Sequence, residues 1–253
     1  MRRLAFALLF GLACLGGRAF AADPAPPELR VLAAASMTEV VNALATSFPD
    51  AKVVASFGSS ADLARQLADE APGDVFISAS PEWIDFLREK HALSGEAVVF
   101  AGNALVAIAP AGSDLGKHGA KDAASLVKLL KPDDRVAIAD AGVPAGEYAR
   151  QSLAKLNLLS FYTPRLVGQK DVRAVLHAVE TGEVKAGFVY ATDARVAKVE
   201  SLFVIPADTH EPIQYLAAVV KQTKSPQAAA RFLAFLKGPV ARETLTKAGF
   251  TLP

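Results

Sequence analysis

From Leu29 onward the chain alternates two hydrophobic rhythms. Dense apolar runs bounded by Gly, Pro, Asp or Ser read as buried strands, and longer stretches with apolar residues three or four places apart read as helices. Leu29 to Ala33 is a strand, and Met37 to Phe48 a helix with Val40, Val41 and Leu44 on one face. Lys52 to Phe57 is a valine-rich strand, Leu63 and Leu67 mark a second helix, and Val75 to Ser78 is a short third strand. Pro81 to Lys90 is a helix with proline at its first turn. This βαβαβα order predicts an α/β fold with a mainly parallel sheet flanked by helices.

Two apolar runs follow between Ala97 and Ala109, on either side of Gly102-Asn103, and the pattern then begins again. Arg135 to Ala139 and Ala186 to Tyr190 read as strands, Ala145 to Leu156 and Val172 to Thr181 as helices. The tail holds an apolar strand, Ile213 to Val220, then amphipathic helices Pro226 to Leu236 and Pro239 to Ala248. Two α/β units with a late return segment predict two lobes joined by two crossings, near Gly102 to Ala104 and Pro206 to Pro212. Residues 28–103 with 212–253 would form lobe I, and 104–211 lobe II.

The N-terminus bears on compartment. Met1-Arg-Arg3 is a basic start, Leu4 to Leu15 is apolar but too short to span a bilayer, and Ala19-Phe20-Ala21 fits a cleavage pattern. Residues 1–21 therefore read as an export signal, cut after Ala21 or Ala22, which places the mature protein in the periplasm. Cys14 raises a lipoprotein signal, but Gly11 stands three places before it, where an aliphatic residue belongs. Cys14 is the sole cysteine, so the mature chain would have no disulfide, cysteine nucleophile or thiolate metal site. The full chain's 27 Lys+Arg against 26 Asp+Glu leave no strong field toward nucleic acid or membrane.

In open parallel sheets, ligands bind beyond the carboxyl ends of strands, and here these ends carry a common chemistry. "VLAAAS" closes the first strand in three alanines and Ser36, and Ser36-Met-Thr-Glu39 has capping-box spacing. Phe57-Gly-Ser-Ser60 opens the second helix, with Ser59 and Asp62 at the same spacing. Pro144, among small residues, opens another helix, and Asp171 can cap the helix from Val172. Tyr190 ends the last strand of its unit. Each junction alone reads as a helix cap. Together they offer unpaired backbone N–H groups, positive dipole ends and hydroxyls, a set suited to an anion. These features leave Ser59 and Ser60 as equal candidates.

"VLAAASMTEV", "FGSSADLARQL", "GDVFISAS", "VPAGEYARQSL", "DVRAVLHAVETGEVKAGFVYATDA" and "KGPVARETLTKAGFTLP" together resemble the periplasmic molybdate-binding proteins of ABC importers, in register from Leu29 to the C-terminus. The resemblance implies a two-lobed, hinge-closing periplasmic binding-protein fold of the second topological type. It also implies capture of molybdate or tungstate, delivery to an importer permease in the membrane, a monomer, and no catalysis or cofactor. Ser36, Ser60 and Tyr190 would give hydroxyls, and Ala145 and Val172 backbone N–H groups. Molybdenum would enter only within the oxyanion, with no protein–metal bond. Glu147 would have to point away from a dianion.

Other residues carry less. His91, His118, His177 and His210 are scattered, without metal-ligand spacing. Arg65, Arg150 and Arg173 read as solvent-facing helix positions rather than an anion clamp, and Trp83 as a packing aromatic. GxSxG, GxGxxG and GxxxxGK[ST] are absent from the sequence. An exported hydrolase lacks its nucleophile and base. A porphobilinogen deaminase would need a cysteine for its cofactor, and a regulator's effector domain would carry a DNA-binding helix pair. The remaining rival is a binding protein for another tetrahedral oxyanion such as sulfate.

Overall fold

The alternation read from the sequence folds into two five-stranded sheets. The computed structural model describes residues 26–253; the expected signal peptide at 1–21 and the question of lipidation at Cys14 lie outside them. The first stretch runs β1 (Glu28–Ala34), α1 (Thr38–Ser47), β2 (Lys52–Gly58), α2 (Ser60–Ala68), β3 (Val75–Ser78), α3 (Pro81–Glu89) and β4 (Leu93–Gly102). The second runs β5 (Leu105–Pro110), α4 (Ala123–Leu129), β6 (Val136–Ala139), α5 (Pro144–Lys155), α6 (Leu159–Tyr162), β7 (Leu166–Gln169), α7 (Val172–Glu180), β8 (Ala186–Tyr190), α8 (Ala191–Ala194) and β9 (Val199–Val204). β10 (Gln214–Val220), α9 (Pro226–Leu236) and α10 (Pro239–Ala248) complete the chain.

The sheets have matching orders, β2-β1-β3-β10-β4 and β7-β6-β8-β5-β9. In each, one strand opposes the rest: β10 is antiparallel to β3 and β4, and β5 to β8 and β9. The remaining pairs are parallel. The reversed strand is in both cases the first one after the chain changes sheets, from β4 to β5 and from β9 to β10. At the first change Gly102 exchanges two backbone hydrogen bonds with Thr251, at 2.8 and 3.0 Å. A side chain at Gly102 would meet Thr251 Oγ1 at 2.5 Å and the Ile213 carbonyl at 3.2 Å. Glycine lets the C-terminal tail approach this closely.

Strand alternation distributes the core. Val31 and Ala33 face the layer that holds α1, while Leu32 faces Leu63, Leu67, Phe76 and Trp83. These side chains are almost wholly buried, each large one contributing about 1.5–3 kcal/mol of transfer free energy. β7 and β9 escape a hydrophobic reading. β7 is short and interrupted by Gly168, and β9 interleaves Glu200 and Ser201 with half-exposed apolar residues. Both are sheet edges, and neither carries the dense apolar run of a central strand. No helix among the described residues is long and apolar enough to cross a membrane.

Candidate ligand-binding site

The carboxyl ends of strands from both sheets meet around a small cavity. One wall is Ala34 to Ser36, Gly58 to Ser60 and Ala79; the other is Val143 to Ala145, Asp171, Val172 and Tyr190. Ser36, Ser60, Ala145, Val172 and Tyr190 all line it, none more than 4% exposed. Alanines at the end of β1 carry too little side chain to fill this space.

Ser36 is not the helix cap its spacing predicts. It lies inside a 3-10 turn, Ala35–Met37, ahead of α1, and neither that turn nor α1 has a side-chain cap. Its Oγ instead contacts the Tyr215 hydroxyl at 2.8 Å, and Glu39 turns away to Arg173. The capping box fails because tertiary partners take both of its side chains.

At the next junction the two serines separate. Ser59 is the cap: its Oγ accepts from the Asp62 N–H at 3.0 Å and donates to Asp62 Oδ2 at 2.8 Å. Ser60 Oγ accepts from the Ala79 N–H at 3.0 Å, across to the end of β3. An oxygen that accepts from the protein keeps its own proton for something else. Ser59 is committed; Ser60 has a proton to give.

The opposite wall presents helix N-termini. α5 starts with Pro144 at its first turn and has no side-chain cap, leaving the Ala145 and Gly146 N–H groups without intrahelical partners. Gly146 packs α5 onto β6 so closely that an added Cβ would lie 2.1 Å from the Ala139 carbonyl oxygen. Glu147 folds back to accept from the Gly142 N–H at 2.7 Å, outside the cavity lining. α7 is capped by Asp171, whose carboxylate accepts from the Ala174 N–H at 2.9 Å. Asp171 thereby satisfies one donor and leaves that of Val172 at the cavity.

Tyr190 supplies the sharpest signal. It is 1% exposed, lines the cavity, and its hydroxyl has no hydrogen-bond partner among the described residues. Burial, with Tyr215 and Tyr148 nearby, raises its pKa well above the ordinary range, so the group stays protonated. A buried phenol without a partner calls for an explanation; an acceptor seated in the cavity provides one.

Among the described residues, no Lys or Arg lines this cavity. Arg173, one residue past Val172, is held elsewhere: it pairs bidentately with Glu39, and its Nε lies 2.7 Å from Asp193 Oδ1. Its side chain is only 23% exposed, which corrects the solvent-facing expectation. Arg150 is also drawn in, donating to the Ala139 carbonyl at 2.8 Å, whereas Arg65 is exposed and lies over the Trp83 ring. Trp83 does more than pack. Its Nε1 donates to the Gly142 carbonyl at 3.0 Å, from one wall of the cleft to the other. Tyr215 and Asn103, behind Ser36, were not marked by sequence reasoning. Tyr215 sits inside an ordinary apolar strand, and Asn103 read only as part of a crossing.

Residues 29–251 match the bacterial extracellular solute-binding protein family. The molybdate-binding protein ModA of Haemophilus influenzae is 39% identical over 242 residues, covering 93% of each chain. That of Escherichia coli is 38% identical over 231 residues, covering 89% of each. This chain belongs to the ModA family. Among solved structures, the periplasmic molybdate-binding protein of Azotobacter vinelandii matches the ModA-family chain with TM-score 0.78 and 28% identity, over 89% of this chain and 99% of that one. A sulfate-binding protein from Mycobacterium tuberculosis matches with TM-score 0.74 at 16% identity, a likeness of fold. The ModA-family chain thus has the two-lobed type II periplasmic binding-protein fold, and its family is one of solute binders rather than enzymes.

Proposed function

We propose that the protein captures molybdate, and also tungstate, between its lobes and delivers it to an ABC importer. The observation that carries this reading is the buried Tyr190 hydroxyl, free of protein partners and facing a cavity walled by helix N-termini. Ser36, Ser60 and Tyr190 donate through hydroxyls, and Ala145 and Val172 through backbone N–H groups. Molybdenum is held through its oxygens alone, with no direct protein–metal bond and no cofactor. Kinship with molybdate-binding relatives across most of the chain supports the choice of anion.

Donor chemistry disfavours phosphate. Molybdate, tungstate and sulfate are fully deprotonated near neutral pH, so their oxygens only accept. Hydrogenphosphate carries a proton for which the five proposed contacts offer no acceptor; the carboxylate in the lining, Asp171, already accepts from the Ala174 N–H, and a proton left unpaired costs about 1–3 kcal/mol. Sulfate offers the same four acceptors as molybdate, so size separates them: shorter sulfur–oxygen bonds leave some donors without close partners.

In this reading residues 28–103 and 212–253 form one lobe and 104–211 the other, closing on the anion by rotation at the two crossings. The protein acts outside the cytoplasm, in the periplasm after removal of residues 1–21, as a monomer that presents its closed form to a membrane permease. Titration calorimetry and thermal unfolding with molybdate, tungstate, sulfate and phosphate test it. An anion at a hundred times its Kd should stabilise the fold by about 2.7 kcal/mol. Molybdate and tungstate should bind tightly, sulfate weakly and phosphate not measurably. Tight phosphate binding would sink the proposed set of donor contacts, and preference for sulfate would leave the architecture but overturn the choice of anion.

A further inference from the structure

A hydroxyl both gives and accepts hydrogen bonds, so a site that relies on hydroxyls as donors needs something to fix which way each O–H points. Ser60 is settled locally, because its oxygen already accepts from the Ala79 N–H. Ser36 is not: its Oγ lies 2.8 Å from the Tyr215 hydroxyl, and either group could donate. The choice is made one step further back. The Ala104 N–H can only donate, and it lies 2.9 Å from Asn103 Oδ1, which identifies that end of the amide as the oxygen. Asn103 Nδ2 then faces Thr192 Oγ1 at 2.9 Å and the Tyr215 hydroxyl at 3.3 Å. An amide NH₂ offers no lone pair here, so Tyr215 accepts from Asn103. Among its observed partners, the Tyr215 proton then has one acceptor, Ser36 Oγ. Tyr215 is fully buried, and the reverse assignment would leave its proton unpaired. With its oxygen accepting from Tyr215, Ser36 is left with its proton for the cavity it lines.

We propose that Asn103 and Tyr215 are positioning residues that lock Ser36 as a donor, so that the site discriminates against anions carrying a proton. The proposal rests on the oxyanion reading above. A serine free to rotate can turn a lone pair toward the O–H of hydrogenphosphate. One whose oxygen is already occupied cannot. The relay starts at Asn103, in the first crossing between lobes, and spans Thr192 on one side of the hinge and Tyr215 on the other.

Tyr215→Phe keeps the ring that packs on Tyr190 and Phe250 and removes only the hydroxyl. Asn103→Asp places an acceptor where the NH₂ donor stood, drawing the Tyr215 proton away from Ser36. The readout is the ratio of phosphate to molybdate dissociation constants, from competition calorimetry at a pH well above the second pKa of phosphate, with circular dichroism and melting to check the fold. Phosphate is then a dianion that still carries one proton, so added charge at residue 103 repels both ligands alike and the ratio isolates the proton's effect. In each variant that folds, the ratio should fall by about tenfold or more, the worth of one hydrogen bond to a charged group. If phosphate is undetectable with the unsubstituted protein, its appearance in a variant is the same result. Equal weakening of both anions, or no change in either, would overturn the relay. Failure of the unsubstituted protein to bind any tetrahedral oxyanion would overturn the underlying reading as well, whereas normal molybdate binding with unchanged ratios would remove the relay alone.

Discussion

Arg173 on α7 grips Glu39 on α1 across the cleft, with Nη1 at 2.8 Å from Oε1 and Nη2 paired to Oε2. The two residues belong to helices packed on different sheets, so the pair exists only while the lobes are together. It lies beside the cavity, at Val172, without lining it. The guanidinium lowers the pKa of the Glu39 carboxyl against the opposing effect of partial burial, and Asp193 adds a second carboxylate to the same arginine.

Glu39→Gln should therefore weaken molybdate binding modestly. Glu39 is about half exposed, and exposed pairs contribute about 0.2–1 kcal/mol, or up to about fivefold in Kd. The loss should shrink with added salt. Calorimetry at low and high ionic strength checks both points. Tighter binding by the variant would mean that Glu39 repels the anion more than it holds the lobes.

The serines should divide by role. Ser36→Ala, Ser60→Ala and Tyr190→Phe each remove a donor to a charged ligand, worth about 1.5–3 kcal/mol or ten- to a hundredfold in affinity. Ser59→Ala removes a helix cap and should cost about 1 kcal/mol of stability with little change in affinity. Melting and titration of all four variants read the two effects separately, and a reversed order for Ser59 and Ser60 would refute the assignment.

Gly146→Ala should damage both fold and site. The methyl would lie 2.1 Å from the Ala139 carbonyl oxygen, so the start of α5 must move, carrying the Ala145 N–H with it. Overpacking of this kind costs about 1–3 kcal/mol. Denaturant unfolding and molybdate titration should both show losses; a variant of unchanged stability would mean that α5 is not pinned at this contact.

Asp193 should give the stability a pH dependence. Burial raises its pKa to about 7 against the lowering effect of Arg173, from an ordinary value of 3.8. The folded state then holds the proton more tightly than the unfolded chain does. Stability from this group is present below its unfolded pKa and declines as pH rises toward 7. Asp193→Asn abolishes that titration. The stability of the unsubstituted protein relative to the variant should fall between about pH 4 and pH 7 in denaturant melts. A flat difference would show that Arg173 holds the carboxylate ionised throughout.

Much of the fold is legible in the chain because local burial writes it there. β1, β3, β8 and β10 are buried almost throughout, and their dense apolar runs announce them. α9 and α10 start at prolines that punctuate the sequence. The strand-end junctions could be named as a ligand site because helix N-termini and small residues recur at one end of every unit. Strands β7 and β9 stay hidden because Gly168 breaks the four-residue β7, and Glu200 and Ser201 break the apolar run of β9.

What the sequence determined by itself was the order of elements, the small-residue junctions and a set of candidate hydrogen-bond donors, all properties of residues near one another in the chain. Tertiary structure decided which groups are free to do so. Ser36 and Ser59 have the same local spacing, yet Tyr215, 179 residues away, takes Ser36 out of its cap while Ser59 keeps its own. Ser60 is fixed by Ala79 and Arg173 by Glu39, partners supplied only when distant strands and the two lobes come together. A hydroxyl's role depends on what already occupies its oxygen, and that is settled by three-dimensional neighbours.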